Sequence, residues 1–305
     1  MLKSIRTGLV LVLVSIVFID ALPVENEESA LDLILLHNND LHGRFAETTI
    51  DGPDCRPEDS FANKCYGGFA RISTLVKRYR SDQEKDGLPV LFLNAGDTYV
   101  GTPWFQLFKD KITVDFMNAL KPDVGALGNH EFDFGIKGLV PFLANINFPI
   151  AVANLNISTN HPLWQTHALE RSVVFNIKGF KVGVIGYITD DLHTLSTPED
   201  VGVLPEIGAI NEESDKLRKQ GVNIIIALGH SGYEKDQEIA KECPLVDLVV
   251  GAHSHTFLYT GIPPDPKDVP LGPYPTVIVQ KSGKKVPVVQ AYAWSKYLGK
   301  LQLSV

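Results

Sequence analysis

Five short segments concentrate the side chains able to do chemistry: Asp40-Leu41-His42, Gly96-Asp97, Gly128-Asn129-His130-Glu131-Phe132-Asp133, Gly229-His230 and Gly251-Ala252-His253-Ser254-His255. Alternate loop positions let Asp40 and His42 aim at one ion. Asp97 would bridge two ions, Asn129 would add an amide oxygen, and His230 and His253 would add imidazole nitrogen. Mixed carboxylate and imidazole donors suit zinc, manganese or iron. The combination predicts a two-metal site of the kind used for phosphoryl transfer, with ions about 3.5–4 Å apart that polarise a phosphoryl oxygen and acidify a bound water. His130, beside Asn129, is expected to be a non-ligand that donates to a phosphoryl oxygen or protonates a leaving alkoxide. Asp133, three residues on, would hold its tautomer. Singly these signals are weak, since Gly-His is more often a core histidine and Gly-Asp a turn; their order and combination carry the inference. His37 and His193 lack such a context and are expected to be structural or exposed, and His161 and His167 flank Trp164 in a surface segment.

Each segment follows an apolar run that predicts a buried strand: 31–36, 89–93, 124–127, 222–228 and 246–250. Loops at strand ends gather on one edge of an α/β sheet, so residues distant in sequence can converge there. Helical spacing of apolar residues predicts helices over 69–80 and 104–120, the latter with Phe105, Phe108, Ile112, Phe116 and Leu120 on one face. Further helices are predicted over 138–146, 210–219 and 235–241, a strand over 150–153, and a hairpin around Lys178-Gly179-Phe180. The stretches 47–66 and 261–275 are predicted loops, and strands over 276–280, 286–291 and 298–303 close the chain. Alternating strands and helices followed by a β-rich end predict a layered α/β sandwich with more than one sheet.

The chain of 305 residues carries a net charge of −8 and no basic stripe, which argues against a nucleic-acid polymer as partner. Lys3 and Arg6 precede the apolar run 9–19, and Ala21 offers a small residue for cleavage. This predicts a signal peptide over 1–21. No later segment approaches transmembrane length, so a secreted protein without a transmembrane anchor is expected. Cys55 and Cys65 lie close together in a polar insertion, where a disulfide would clip the loop in an oxidising compartment. Cys243 is either a buried thiol or the partner of something outside the chain. Asn156-Ile157-Ser158 is the one N-glycosylation sequon.

The chain resembles the calcineurin-like metallophosphatases, and within them the 5′-nucleotidase family with its animal ecto-enzymes and secreted insect apyrases. The resemblance rests on His-Asn-Asn-Asp-Leu-His-Gly (37–43), Asn-Ala-Gly-Asp-Thr-Tyr-Val-Gly-Thr-Pro-Trp-Phe (94–105) and Ala-Leu-Gly-Asn-His-Glu-Phe-Asp-Phe-Gly (126–135). It continues in Ile-Ile-Ala-Leu-Gly-His-Ser-Gly (225–232), Gly-Ala-His-Ser-His-Thr-Phe-Leu-Tyr-Thr-Gly (251–261) and Val-Pro-Val-Val-Gln-Ala-Tyr-Ala (286–293). It implies a four-layer α/β/β/α metallophosphatase sandwich over 22–305, and a hydrolase acting on phosphoric ester or anhydride bonds of nucleotides. Two divalent ions are implied, zinc first, with manganese, iron or cobalt admitted. By position, Asp40, His42 and Asp97 would hold one ion, with His255 at or near it, directly or through water. Asp97, Asn129, His230 and His253 would hold the second, and His130 and Asp133 match the catalytic dyad. The departure is length. The family's C-terminal nucleotide-binding domain is absent from this chain, as is a terminal apolar tail of the GPI type, so the chain is a fragment or a short form. Alternatives are a generic metallophosphoesterase for small phosphate esters and a silent secreted binding protein, against which the complete ligand set argues. Preference between AMP and ADP or ATP, and the oligomeric state, stay open.

Overall fold

The computed structural model describes residues 31–49, 53–85 and 87–305, with the backbone of 11–18. Among the described residues two large sheets form. The first has seven strands in the order Leu11–Phe18, Tyr297–Ser304, Asp32–Asn38, Val90–Asn94, Val124–Ala126, Ile150–Ala151, Leu169–Glu170. From Asp32–Asn38 onward neighbours run parallel, and Tyr297–Ser304 is antiparallel to Asp32–Asn38. The second sheet has six strands in the order Ser172–Ile177, Phe180–Ile188, Ile224–His230, Leu248–Val250, Lys285–Val289, Thr276–Val279. Its four central strands are parallel and its two outer ones antiparallel.

Strands covered on both faces read as continuous apolar runs, and their period of two divides the residues between layers. Leu33, Leu35, Leu91 and Leu93 join Val182, Val184, Ile224 and Ile226 in one core between the sheets. Leu36 and Phe92 point the other way, into a core with Ile72, Val76, Met117 and Leu139 from helices Phe69–Gln83, Asp110–Leu120 and Gly135–Asn145. Helices Glu206–Lys219 and Tyr233–Glu242 cover the outer face of the second sheet through Ile210, Leu217, Ile239 and Ala240. The order of layers is helix, sheet, sheet, helix, as expected.

Several local expectations are corrected. The single helix predicted over 104–120 is two, Pro103–Phe108 and Asp110–Leu120, because Lys109 between them takes φ 52°. No glycine or proline marks the break, and Lys109 Nζ sits 4.2 Å from the Phe134 ring centre, a cation–π contact that local spacing does not reveal. Phe108, placed by spacing on the buried face, is 50% exposed, and Thr113, Met117 and Leu120 are the buried positions of the second helix. The stretch 47–66 is not all loop. It holds the helix Pro57–Phe61, which starts on proline, and the paired strands Thr48–Thr49 and Cys65–Tyr66, and Cys55 and Cys65 are bonded. Lys178 and Gly179 turn the expected hairpin with φ 50° and 88°, the left-handed pair of a two-residue turn. Cys243 is buried and free, and burial pushes its thiol up to about 12. Of the signal peptide expected over 1–21, residues 1–10 and 19–21 lie outside the described residues, while Leu11–Phe18 forms an edge strand parallel to Tyr297–Ser304. No helix among the described residues is long and apolar enough to cross a membrane.

Candidate metal centre

All five segments lie at the C-terminal ends of parallel strands. Asp32–Asn38 leads to Asp40 and His42, Val90–Asn94 to Asp97, and Val124–Ala126 to Asn129 and His130; Ile224–His230 ends on His230, and Leu248–Val250 leads to His253 and His255. The first two loops continue their strands' pairing. The backbone N–H of Asp40 donates to Gly96 O (3.0 Å), that of His42 to Asp97 O (3.0 Å) and that of Gly43 to Thr98 O (3.1 Å). Asp40, His42, Asp97, His253 and His255 all have φ between 48° and 77°. Such left-handed backbone costs a non-glycine residue roughly 1–3 kcal/mol and persists only where the surroundings over-determine it. Gly128 is required by close approach: a Cβ there would collide with Asp97 Oδ1 and lie 2.6 Å from Asp97 N.

The ligand candidates converge in two sets. Asp40, His42 and His255 bring one ligand atom each within 4.8 Å of one another, and so do Asp97, His230 and His253. Asp97 lies between the sets, its Oδ2 2.9 Å from His230 Nε2 and 3.9 Å from His42 Nε2. His255 Nε2 is 3.3 Å from Asp40 Oδ1 and 2.9 Å from His42 Nε2. Asp40 Oδ2 accepts from Asn39 Nδ2 (2.6 Å) and from the His253 N–H (3.0 Å). Asp40 Oδ1, Asn129 Oδ1 and His230 Nε2, by contrast, are buried without a hydrogen-bond partner. His230 Nδ1 donates to Ala95 O at 2.8 Å, which turns Nε2 toward the Asp97 carboxylate. Buried polar atoms are otherwise almost always paired, and a cation is what such unpaired atoms on ligand candidates would take. The donor set therefore fits two divalent ions, with the His230–carbonyl contact as the outer support a ligating histidine usually has.

The groups also shift one another's protonation. Burial opposes charge on Asp40 and Asp97, yet the facing histidines, His230 first, hold both carboxyls below their ordinary range. Burial likewise opposes charge on His230, and the Asp97 and Asp40 carboxylates outweigh it, pushing the imidazole up to about 10. Burial holds His42 and His253 below the usual imidazole value. His130 stands on the 3₁₀ turn Asn129–Phe132. Its Nδ1 is 2.6 Å from Asp133 Oδ2, and that bond pushes the imidazole up to about 9 despite burial. His130 also comes within ligand reach of His42 and Asp97, but with Nδ1 engaged by Asp133 only Nε2 is free.

Residues 34–257 match the family model of the calcineurin-like phosphoesterases. The chain belongs to this family. The chain is 52% identical over 280 residues to Protein 5NUC of Lutzomyia longipalpis, covering 92% of this chain and 48% of that one. To the 5′-nucleotidase of Mus musculus it is 46% identical over 288 residues, with 92% and 48% covered. The crystal structure of a 5′-nucleotidase precursor from Thermus thermophilus matches with a TM-score of 0.78 and 33% identity, over 88% of this chain and 50% of that one. The chain spans about half the length of the curated relatives it matches.

Two residues whose roles the sequence does not announce hold the loops of the site in place. Glu131 accepts from the backbone N–H groups of Asp97 (2.9 Å), Thr98 (2.7 Å), Tyr99 (3.1 Å) and Gly128 (2.7 Å), and from Thr98 Oγ1 (2.8 Å). Three residues after Gly128, its carboxylate reaches back to the N–H that precedes the turn, which is half of a capping box. Asn39 accepts from the Ala291 N–H (2.7 Å) and donates to Tyr292 O (2.6 Å), tying the Asp40 loop to a segment 252 residues away; no local signal marks it. The remaining histidines stay outside the centre. His37 is buried with Nε2 2.8 Å from Tyr274 Oη, His193 Nε2 donates to Val201 O (2.8 Å), and His167 is exposed. His161, expected at the surface, is buried, with Nε2 3.2 Å from an Asp200 carboxylate oxygen.

Proposed function

We propose that this phosphoesterase hydrolyses phosphate from extracellular nucleotides, as a protein of the 5′-nucleotidase/apyrase type exported under a leader at residues 1–21. The observation that carries the reading is the convergence of the ligand candidates, three of whose buried polar atoms lack a hydrogen-bond partner, beside the His130–Asp133 pair. Asp40, His42 and Asp97 with His255 would hold one divalent ion, and Asp97, Asn129, His230 and His253 the other; zinc suits this set, as do manganese, iron and cobalt. When bound, such ions supply Lewis acidity toward a phosphoryl oxygen and a nucleophile at neutral pH. Asp133 fixes the His130 ring through Nδ1, so that Nε2 is presented to substrate. From there His130 would donate to a phosphoryl oxygen or give a proton to the leaving alkoxide. Glu131 and Asn39 keep the carboxylate loops in register around that point.

A second reading is a phosphoesterase for small phosphate esters, because a two-ion donor set of this kind acts on the phosphoryl group whatever the leaving group is. Phosphate release by the purified chain with zinc or manganese from AMP, ADP and ATP, set beside chromophore release from a chromogenic phosphodiester, separates the two. Turnover of nucleotides is the expected result. Turnover of the diester alone would replace the first reading by the second, and no turnover of any ester would refute both.

A further inference from the structure

Asp133 has two carboxylate oxygens, and only Oδ2 is used by His130. Oδ1 accepts a hydrogen bond from Ser196 Oγ at 2.7 Å, across 63 residues of sequence. Ser196 follows the short helix Leu192–Leu195, its own N–H donating to Leu192 O (3.0 Å) in extended backbone. The loop that carries it is anchored at both ends of the site. It starts with the Thr189 N–H donating to the carbonyl of His230 (3.0 Å), a ligand candidate. It ends near Glu199, whose Oε1 accepts from the Ile136 N–H (3.0 Å) just past the dyad. Leu192 and Val201 are buried in the same core as Phe132 and Ile136, so apolar packing fixes the loop where Ser196 reaches the carboxylate.

We propose that Ser196 is a positioning residue for His130, acting through Asp133, and that the loop 189–201 sets the imidazole relative to the metal centre. The inference rests on the reading of His130 as the proton donor of a phosphohydrolase. A carboxylate held at one oxygen can rotate about its χ2 bond, and the ring bonded to it rotates with it. Held at both oxygens, it keeps Nε2 aimed at one point. Asp133 and His130 are partly open to solvent, with 25% and 34% of their side-chain surfaces accessible. Water can therefore replace part of the lost bond, and the expected effect is moderate, about 3–30-fold.

The test compares kcat and KM of the full chain, its Ser196→Ala, Ser196→Thr and His130→Ala variants and the Ser196→Ala/His130→Ala double variant, on an ester the wild type hydrolyses. Metal content is measured alongside, together with the His130 Nδ1–H resonance in histidine-labelled protein. Ser196→Ala should lower kcat by about 3–30-fold with KM and metal content unchanged, and Ser196→Thr should restore it to within about twofold. Ser196→Ala should cost nothing further in the His130→Ala background. An equal loss in both backgrounds, or no loss in the wild type, overturns the proposal. The resonance should shift in Ser196→Ala, and an unmoved resonance overturns the proposal even if the wild type proves inactive. Inactivity by itself would overturn the functional reading instead.

Discussion

Glu131→Gln is a one-atom change with a consequence that can be worked from the geometry. The wild-type Oε1 accepts from Thr98 N, Thr98 Oγ1 and Tyr99 N, and Oε2 accepts from Asp97 N and Gly128 N. A glutamine can keep its carbonyl toward the first three. Its amide then points N–H groups at the N–H groups of Asp97 and Gly128, leaving two buried donors facing donors. Each buried unsatisfied group costs about 1–3 kcal/mol, so the variant should lose about 2–6 kcal/mol of unfolding free energy. Because those donors sit at Asp97 itself and directly before Asn129, metal affinity should fall as well. Urea denaturation gives the first quantity and calorimetric titration with zinc the second. Burial, with the neighbouring Asp97 carboxylate, pushes the Glu131 carboxyl above its ordinary range, whereas five surrounding donors demand the ionised form. A Glu131→Gln protein within about 0.5 kcal/mol of wild type, with unchanged zinc affinity, would mean that Glu131 is already protonated, and the reasoning from donors would be refuted.

His130→Ala should lower hydrolysis by about 10²–10⁴-fold with metal content near wild type, whereas Asp97→Ala should lose metal; an emptied site in His130→Ala would make His130 a ligand. Burial holds His37 down to about 3, so between that value and its unfolded value of about 6.5 the unfolded chain binds a proton that the folded chain does not. Stability should therefore fall with acid through this window, His37 accounting for about 2 kcal/mol between pH 7 and pH 5. In His37→Asn that share of the slope should vanish from urea denaturation curves at the two pH values, and parallel slopes would show that His37 is protonated in the fold. Expression in a secreting eukaryotic cell should yield a product whose N-terminal sequence begins at Leu22; a chain retained in the cell with residues 1–21 attached would contradict the leader.

What was legible in the sequence was the part written locally. The runs before Asp40, Asp97, Asn129, His230 and His253 are apolar on both faces because both faces of each sheet are covered, and glycine marks where ligand loops pack against each other, as Gly128 does on Asp97. The break at Lys109 was illegible because no local residue type marks it and the ring its side chain meets belongs to another segment. Asn39 and Ser196 were illegible for the same reason: each is an ordinary polar residue whose partner lies far along the chain. His161 was misplaced because proximity to a polar stretch says nothing of the packing above it.

The left-handed backbone at five of the ligand candidates also bears on how portable this chemistry is. A peptide spanning residues 40–43 or 253–255 would spend most of its time in the right-handed or extended states that these side chains prefer. Its donors would diverge, and its affinity for an ion would be that of scattered imidazoles. The convergence is thus not a property of the motifs but of two sheets ending at one edge, and grafting the loops onto another protein without those strand ends should transfer the sequence and leave the site behind.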